Sequence, residues 1–165
     1  MANANRQEQA RLNSTLKKTM YSHDYAEARR LIEEGADPNT TNGWGSPFIS
    51  WCAEKGQVDL IDLALEKGAD IDAMNKSGET ALHKAAHLGI VDVIDHLIDR
   101  GADIDHKNIY DTTPLFVAAR SDQPEAVKVL LARGADPSIK NHKGISPAQI
   151  AKEKGYEAIV VLLAA

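Results

Sequence analysis

His83 and His87 stand four residues apart, a spacing that sets both imidazoles on one face of a helix, where they could share a metal ion. The run His83-Lys84-Ala85-Ala86-His87 lacks the glutamate that serves as base in His-Glu-x-x-His zinc proteases, so no metal site is expected. Cys52 is the single cysteine, and no histidine and acid stand in register to hold it as a nucleophilic thiolate. Gly43-Trp44-Gly45 offers two glycines but no phosphate-loop signature. Asp92, Asp95, Asp99, Asp103 and Asp105 make an acidic run. Helical periodicity scatters most of them over an outer face, which reads as solvated surface rather than a cation cage. No catalytic residue, cofactor site or metal site emerges, and an enzyme is not expected.

The elements that carry these residues repeat. Gly-Ala-Asp occurs at Gly35-Ala36-Asp37, Gly68-Ala69-Asp70, Gly101-Ala102-Asp103 and Gly134-Ala135-Asp136, 33 residues apart each time. Asn42, Asn75, Asn108 and Asn141 keep the same interval, as do Gly45, Gly78 and Gly144, with Asp111 as the exception. Such a period marks a stack of small units, none able to bury its apolar face alone. In residues 74–106, Asn75-Lys76-Ser77-Gly78 is turn chemistry and the Thr80 hydroxyl can cap a helix through Ala81, Leu82, Ala85 and Ala86. Gly89 breaks it, Val93, Ile94, Leu97 and Ile98 line one face of a second helix, and Gly101 suits the left-handed residue that ends it. Thr113-Pro114 and Ser146-Pro147 combine a hydroxyl cap with proline at the first helical position. Ser46-Pro47 sits one residue earlier, so that helix is expected to start early. Asp122 replaces the interhelix glycine, and Pro124 opens the helix after it. Cys52 aligns with Ala85, Ala118 and Ala151, which are small core positions.

Here the chain resembles the ankyrin repeat family. Its helix-opening Thr-Pro-Leu-His-x-Ala motif stands as Thr113-Pro114-Leu115-Phe116-Val117-Ala118 and Thr80-Ala81-Leu82-His83-Lys84-Ala85. Weaker copies begin at Pro47 and Ser146, and the Gly-Ala-Asp ladder is equally typical. The resemblance covers residues 20–165 and implies an all-α solenoid of stacked helix-turn-helix units with β-hairpin fingers. It implies one domain: an N-terminal capping repeat 1–40, internal repeats 41–73, 74–106 and 107–139, and a C-terminal capping repeat 140–165. It also implies a non-catalytic protein–protein interaction module, without naming the partner. His83 falls at the motif histidine, which in the family hydrogen-bonds neighbouring turns.

The 165 residues fit a single domain, and a net charge of −5 argues against a general affinity for nucleic acid. One cysteine rules out an internal disulfide framework and points to a reducing compartment. Met1 to Arg11 has no apolar core of a secretory signal, and no apolar run reaches membrane-spanning length, so a soluble cytoplasmic protein with no membrane partner is expected. Leu12, Leu16 and Met20 form a narrow stripe on a charged first helix, Gln7 to Tyr21, as a one-sided cap should. At the other end Val161 stands where the earlier repeats have Asp62, Asp95 and Lys128. Either a cap more apolar than needed ends the stack, or that face meets more chain or another subunit. A monomer is expected, with the C-terminal face as its route to self-association.

In family members that bind partners, the contacts come from finger tips and the exposed side of first helices. Carried over by position, this gives Trp44, Ser46, Lys76, Ser77, His87, Leu88, Ile109, Tyr110, Arg120, His142 and Lys143. Trp44, Leu88, Ile109 and Tyr110 stand out, because large apolar groups at turn tips cost solubility unless they contact something. Trp44 and Tyr110 could instead fold back onto the neighbouring turn. Trp51 aligns with Lys84, Val117 and Ile150 and reads as helix packing. Two other readings stay open: an inhibitor or immunity-type protein whose acidic side steers a basic toxin or enzyme, and a segment of a larger scaffold or enzyme.

Overall fold

The computed structural model describes residues 2–164; Met1 and Ala165, the outermost positions of the two capping units, lie outside the described residues. Ten helices follow one another among the described residues. They are α1 Ala2–Ser22, α2 Tyr25–Glu33, α3 Phe48–Glu54, α4 Val58–Glu66, α5 Ala81–Leu88, α6 Val91–Asp99, α7 Pro114–Arg120, α8 Pro124–Ala132, α9 Pro147–Lys154 and α10 Glu157–Leu163. Helices α3, α5, α7 and α9 pack in succession as an inner row, each against its own second helix, and α6, α8 and α10 pack in succession behind them.

Local chemistry sets the helix starts. Thr113 accepts the Phe116 N–H at 3.3 Å to open α7. Ser146 opens α9 with a capping box in which Gln149 Oε1 accepts the Ser146 N–H at 2.8 Å. In α5 the ring of His83 takes that glutamine's place, its Nδ1 accepting the Thr80 N–H at 3.2 Å. Helix α3 departs from expectation. It does not start early but opens at Phe48, in step with the other first helices, because Pro47 occupies the extended cap position and supplies no side-chain hydrogen bond.

Each Gly-Ala-Asp step ends a second helix. The glycines sit in the left-handed region, and the alanine N–H returns to the carbonyl five residues back, as for Ala36 to Leu31 at 2.8 Å and Ala102 to Leu97 at 3.0 Å. The aspartates then tie unit to unit. The N–H of Asp37, Asp70, Asp103 and Asp136 donates to a side-chain oxygen of Asn13, Asn39, Asp72 and Asp105 respectively, at 2.8 to 3.1 Å. Each of these aspartates also accepts the amide two residues on, which orients Asn39, Asp72 and Asp105 to receive the next step. A polar chain thus runs the length of the stack. Two members of the acidic run, Asp103 and Asp105, belong to it and are not merely solvated.

The apolar face of each helix closes against its neighbours. Phe48, Ile61, Leu82, Ile94, Leu115, Leu130 and Ile159 are fully buried, each such side chain contributing about 1.5–3 kcal/mol on burial. Cys52 is buried among them, and its burial pushes the thiol well above the ordinary thiol range, so it packs as a small apolar group.

The fingers reverse direction as hairpins do, without a strand ladder; among the described residues a single isolated antiparallel bridge joins Thr41 and Pro47. The repeated asparagine is the reason. Asn42, Asn75, Asn108 and Asn141 each donate their N–H to the carbonyl four residues on, while the side-chain oxygen accepts two amides within the loop. Three backbone groups satisfied by one residue leave little for a ladder to do. At the finger and interhelix positions where glycine is replaced, Asp111 and Asp122 adopt the left-handed conformation themselves, with φ of 55° at both.

Candidate functional site

Helices α3 and α7 are buried along almost their whole length and α5 exposes only His87 and Leu88, whereas α9 at the end of the row also exposes Gln149. The C-terminal ends of these helices and the finger tips are most of what the inner row offers. Trp44 is 73% exposed, Ile109 64%, Tyr110 50% and Leu88 43%. Lys76, His87, Arg120, His142 and Lys143 are exposed as well, whereas Ser46 and Ser77 are half-buried and hold finger geometry through their backbone groups.

Neighbouring residues combine in pairs. His87 Nδ1 lies 2.8 Å from Ser121 Oγ, bridging the ends of α5 and α7. The N–H of His142 donates to the Tyr110 carbonyl at 3.1 Å, and the two rings tilt against each other at 5.9 Å. Trp44 meets Tyr21 edge-on at 5.4 Å, and the Tyr21 hydroxyl accepts the Gly43 N–H at 2.6 Å. Both aromatic tips therefore lean on a neighbour yet keep half or more of their surface open.

Adjacent fingers are joined by backbone at two of three seams. Ile109 N–H donates to Ser77 C=O at 3.1 Å, and His142 N–H to Tyr110 C=O at 3.1 Å. The matching pair at the first seam would be Lys76 N–H and Trp44 C=O. No hydrogen bond joins them; the Lys76 side chain lies against Gly45 instead. A cavity of about 490 Å³ opens here, lined by Met20, Tyr21, Trp44, Trp51, Lys55, Lys76 and Lys84 among others. Of the sequence-derived residues, this groove brings together Trp44, Ser46, Lys76 and Ser77, and leaves the rest along the other fingers and helix ends. Trp51 is buried against Tyr25 and Phe48 as helix packing requires, and also lines the groove. Tyr21 and Met20 come from the end of α1 and are absent from the sequence-derived set, which begins at the second repeat, although Tyr21 stands 33 residues before Glu54 and so shares the register of His87 and Arg120.

Charge is divided between the two rows. Segments 41–55, 74–88, 107–121 and 140–154, which form the fingers and first helices, carry nine Lys and Arg against four Asp and Glu. The second-helix segments 56–73, 89–106, 122–139 and 155–164 carry four against fourteen. Several of those acids are engaged between repeats: Asp62 with His96 at 2.7 Å and Arg100 at 3.3 Å, and Asp95 and Asp99 with Arg133. On the groove side, burial works to raise Glu79, but the Asn75 amide and Lys84 together hold its carboxyl below its ordinary value.

His83 has no spare nitrogen for a metal. Nδ1 faces Thr80, and Nε2 lies 3.0 Å from the Thr112 carbonyl and donates to it, fixing the neutral tautomer. Burial lowers its pKa. Among the described residues no cluster of three or more His, Cys, Asp or Glu side chains could hold a metal ion. No helix of the described residues is long and apolar enough to cross a membrane.

A stacked array of helix pairs, with asparagine-braced fingers between them, defines a repeat solenoid. Family comparison agrees: ankyrin repeats, in three copies, match residues 19–108 and 49–141. The chain belongs to the ankyrin repeat family, whose members are generally protein–protein interaction modules and typically non-catalytic. No curated protein matches the chain.

Proposed function

We propose that this protein holds a protein partner, without catalysis, on the side formed by its finger tips and first-helix ends. The observation that carries the reading is the exposure of Trp44, Ile109 and Tyr110 at finger tips and of Leu88 at a first-helix end, four large apolar side chains. Aromatic groups of this kind supply most of the energy of protein interfaces. His87, Arg120, His142 and Lys143 flank them as the polar rim. The reading treats 41–73, 74–106 and 107–139 as internal repeats between caps 1–40 and 140–165, acting in the cytoplasm, where Cys52 stays reduced.

The second-helix side, considered above for steering a basic toxin or enzyme, supports binding less well. Asp62, Asp95 and Asp99 already answer to cations of the neighbouring repeat. The test is affinity capture from native lysate with the intact chain beside a Trp44→Ala/Tyr110→Ala variant. Species held by the first and lost by the second, at unchanged thermal unfolding, support the reading; equal capture by both overturns it.

A further inference from the structure

We infer that the open seam between the first two fingers is a receptor for an acidic linear peptide segment carrying one large apolar side chain. This rests on the finger side being the binding side. Three independent observations converge on it. The first is backbone: Lys76 N–H and Trp44 C=O are the donor and acceptor that the other two seams pair, and here both are left without that bond. A peptide in extended conformation can present a carbonyl to the one and an amide to the other.

The second is shape. The 490 Å³ cavity lies at this seam, lined by the paired rings of Tyr21 and Trp44 and by Trp51, with volume for one large apolar side chain against aromatic surface. The third is charge. Lys55, Lys76 and Lys84 line the groove; Lys55 and Lys84 hold Glu54 and Glu79, while Lys76 is exposed and has no carboxylate partner among the described residues. With the surrounding row carrying nine cations against four anions, a segment of Asp and Glu finds complementary charge, and a basic segment does not. A second copy of the chain is a poorer fit than a linear segment, since its exposed acids sit on helices, as Asp59, Asp92 and Glu125 do, or in the turns tied to the preceding repeat, as Asp70, Asp103 and Asp136 do.

The experiment selects displayed random linear 12-residue peptides on the intact chain, then measures the consensus peptide by fluorescence anisotropy. The expected consensus carries two or more Asp or Glu beside a Leu, Phe or Trp. Lys76→Glu should weaken it about tenfold or more, Lys76→Arg by less than about threefold, and added salt should weaken it further. Hydrogen exchange of the Lys76 amide should be fast in the free protein and slow with peptide bound. Lys76 is exposed, so unfolding of the variants should match the parent and separate lost binding from lost fold. A neutral or basic consensus, an acidic peptide bound equally by Lys76→Glu, or a Lys76 amide already protected in the free protein overturns the inference. If such a consensus still depends on Trp44, the finger reading stands while the acidic-segment inference falls. Peptides indifferent to both Trp44→Ala and Tyr110→Ala sink the two together, as does a selection that enriches nothing.

Discussion

The carboxylate of Asp72 accepts the backbone N–H of Asp103 at 3.1 Å, so a side chain of one repeat holds the helix-ending step of the next. Asn39 does the same for Asp70 at 2.9 Å, and Asp105 for Asp136 at 3.0 Å. The stack is therefore held in register by polar bonds between turns as well as by apolar contact between helices, and the fingers inherit their spacing from both.

Asp72 separates the hydrogen bond from the charge. Burial, with Asp103 and Asp70 nearby, raises its carboxyl pKa despite the Asp103 amide, so its favourable contribution belongs below about pH 3.8 and is lost as pH rises. At neutral pH the ionised form is a cost. Asp72→Asn, which copies the natural Asn39, should keep the bond and raise the unfolding midpoint at pH 7 by about 1–2 °C. Asp72→Ala should lower stability by about 1 kcal/mol, read by urea unfolding, because the Asp103 amide loses its acceptor.

His83 gives the stack a pH dependence. Its folded pKa lies below the ordinary 6.5 because burial disfavours the charged ring, so the neutral ring stabilises above that value and the contribution fades as pH falls through it. Glutamine at this place serves the capping box in α9, which makes His83→Gln the informative variant. At pH 8 it should be less stable by about 1 kcal/mol, the bond to Thr112 being gone. The gap to the parent should narrow steadily between pH 7 and pH 5 in thermal melts; a constant gap would assign the role to another group.

Glycine is demanded differently at two fingers. A Cβ on Gly78, at φ +73°, would meet the Ile109 nitrogen at 3.0 Å, whereas on Gly144, at φ +74°, it would meet nothing within 4 Å. Gly144→Ala should cost about 1 kcal/mol for the left-handed backbone alone, and Gly78→Ala about 2 kcal/mol or more by also forcing apart the joined second seam. Urea titrations of the two variants compare them directly.

The scaffold was written in the sequence because its parts recur in type as well as position: glycine after α2, α4, α6 and α8, and asparagine at each finger base. The tie between repeats was harder to read. Asn39, Asp72, Asp105 and Ser138 keep the 33-residue interval, but the residue type changes along it and a ladder of identities passes them over. Searching for polar acceptors at that spacing would have found them. The early start assigned to α3 failed because proline at the cap position follows its neighbours' backbone rather than its own sequence signal. The open seam had no sequence trace, since it is an absence of backbone pairing between Trp44 and Lys76; Tyr21, which lines it, keeps the register of His87 and Arg120, but its unit has Gln9 and Leu12 in place of the finger asparagine and glycine that mark the others.

The most direct test of the finger side as binding surface is the dissociation constant of a captured partner for three forms of the chain. These are the parent, Trp44→Ala, and a Asp59→Ala/Lys128→Ala control whose substitutions lie on exposed second-helix positions. The account predicts about a 30-fold loss for Trp44→Ala, equivalent to roughly 2 kcal/mol, and less than about a twofold change for the control. Unchanged affinity in Trp44→Ala with loss in the control would contradict it.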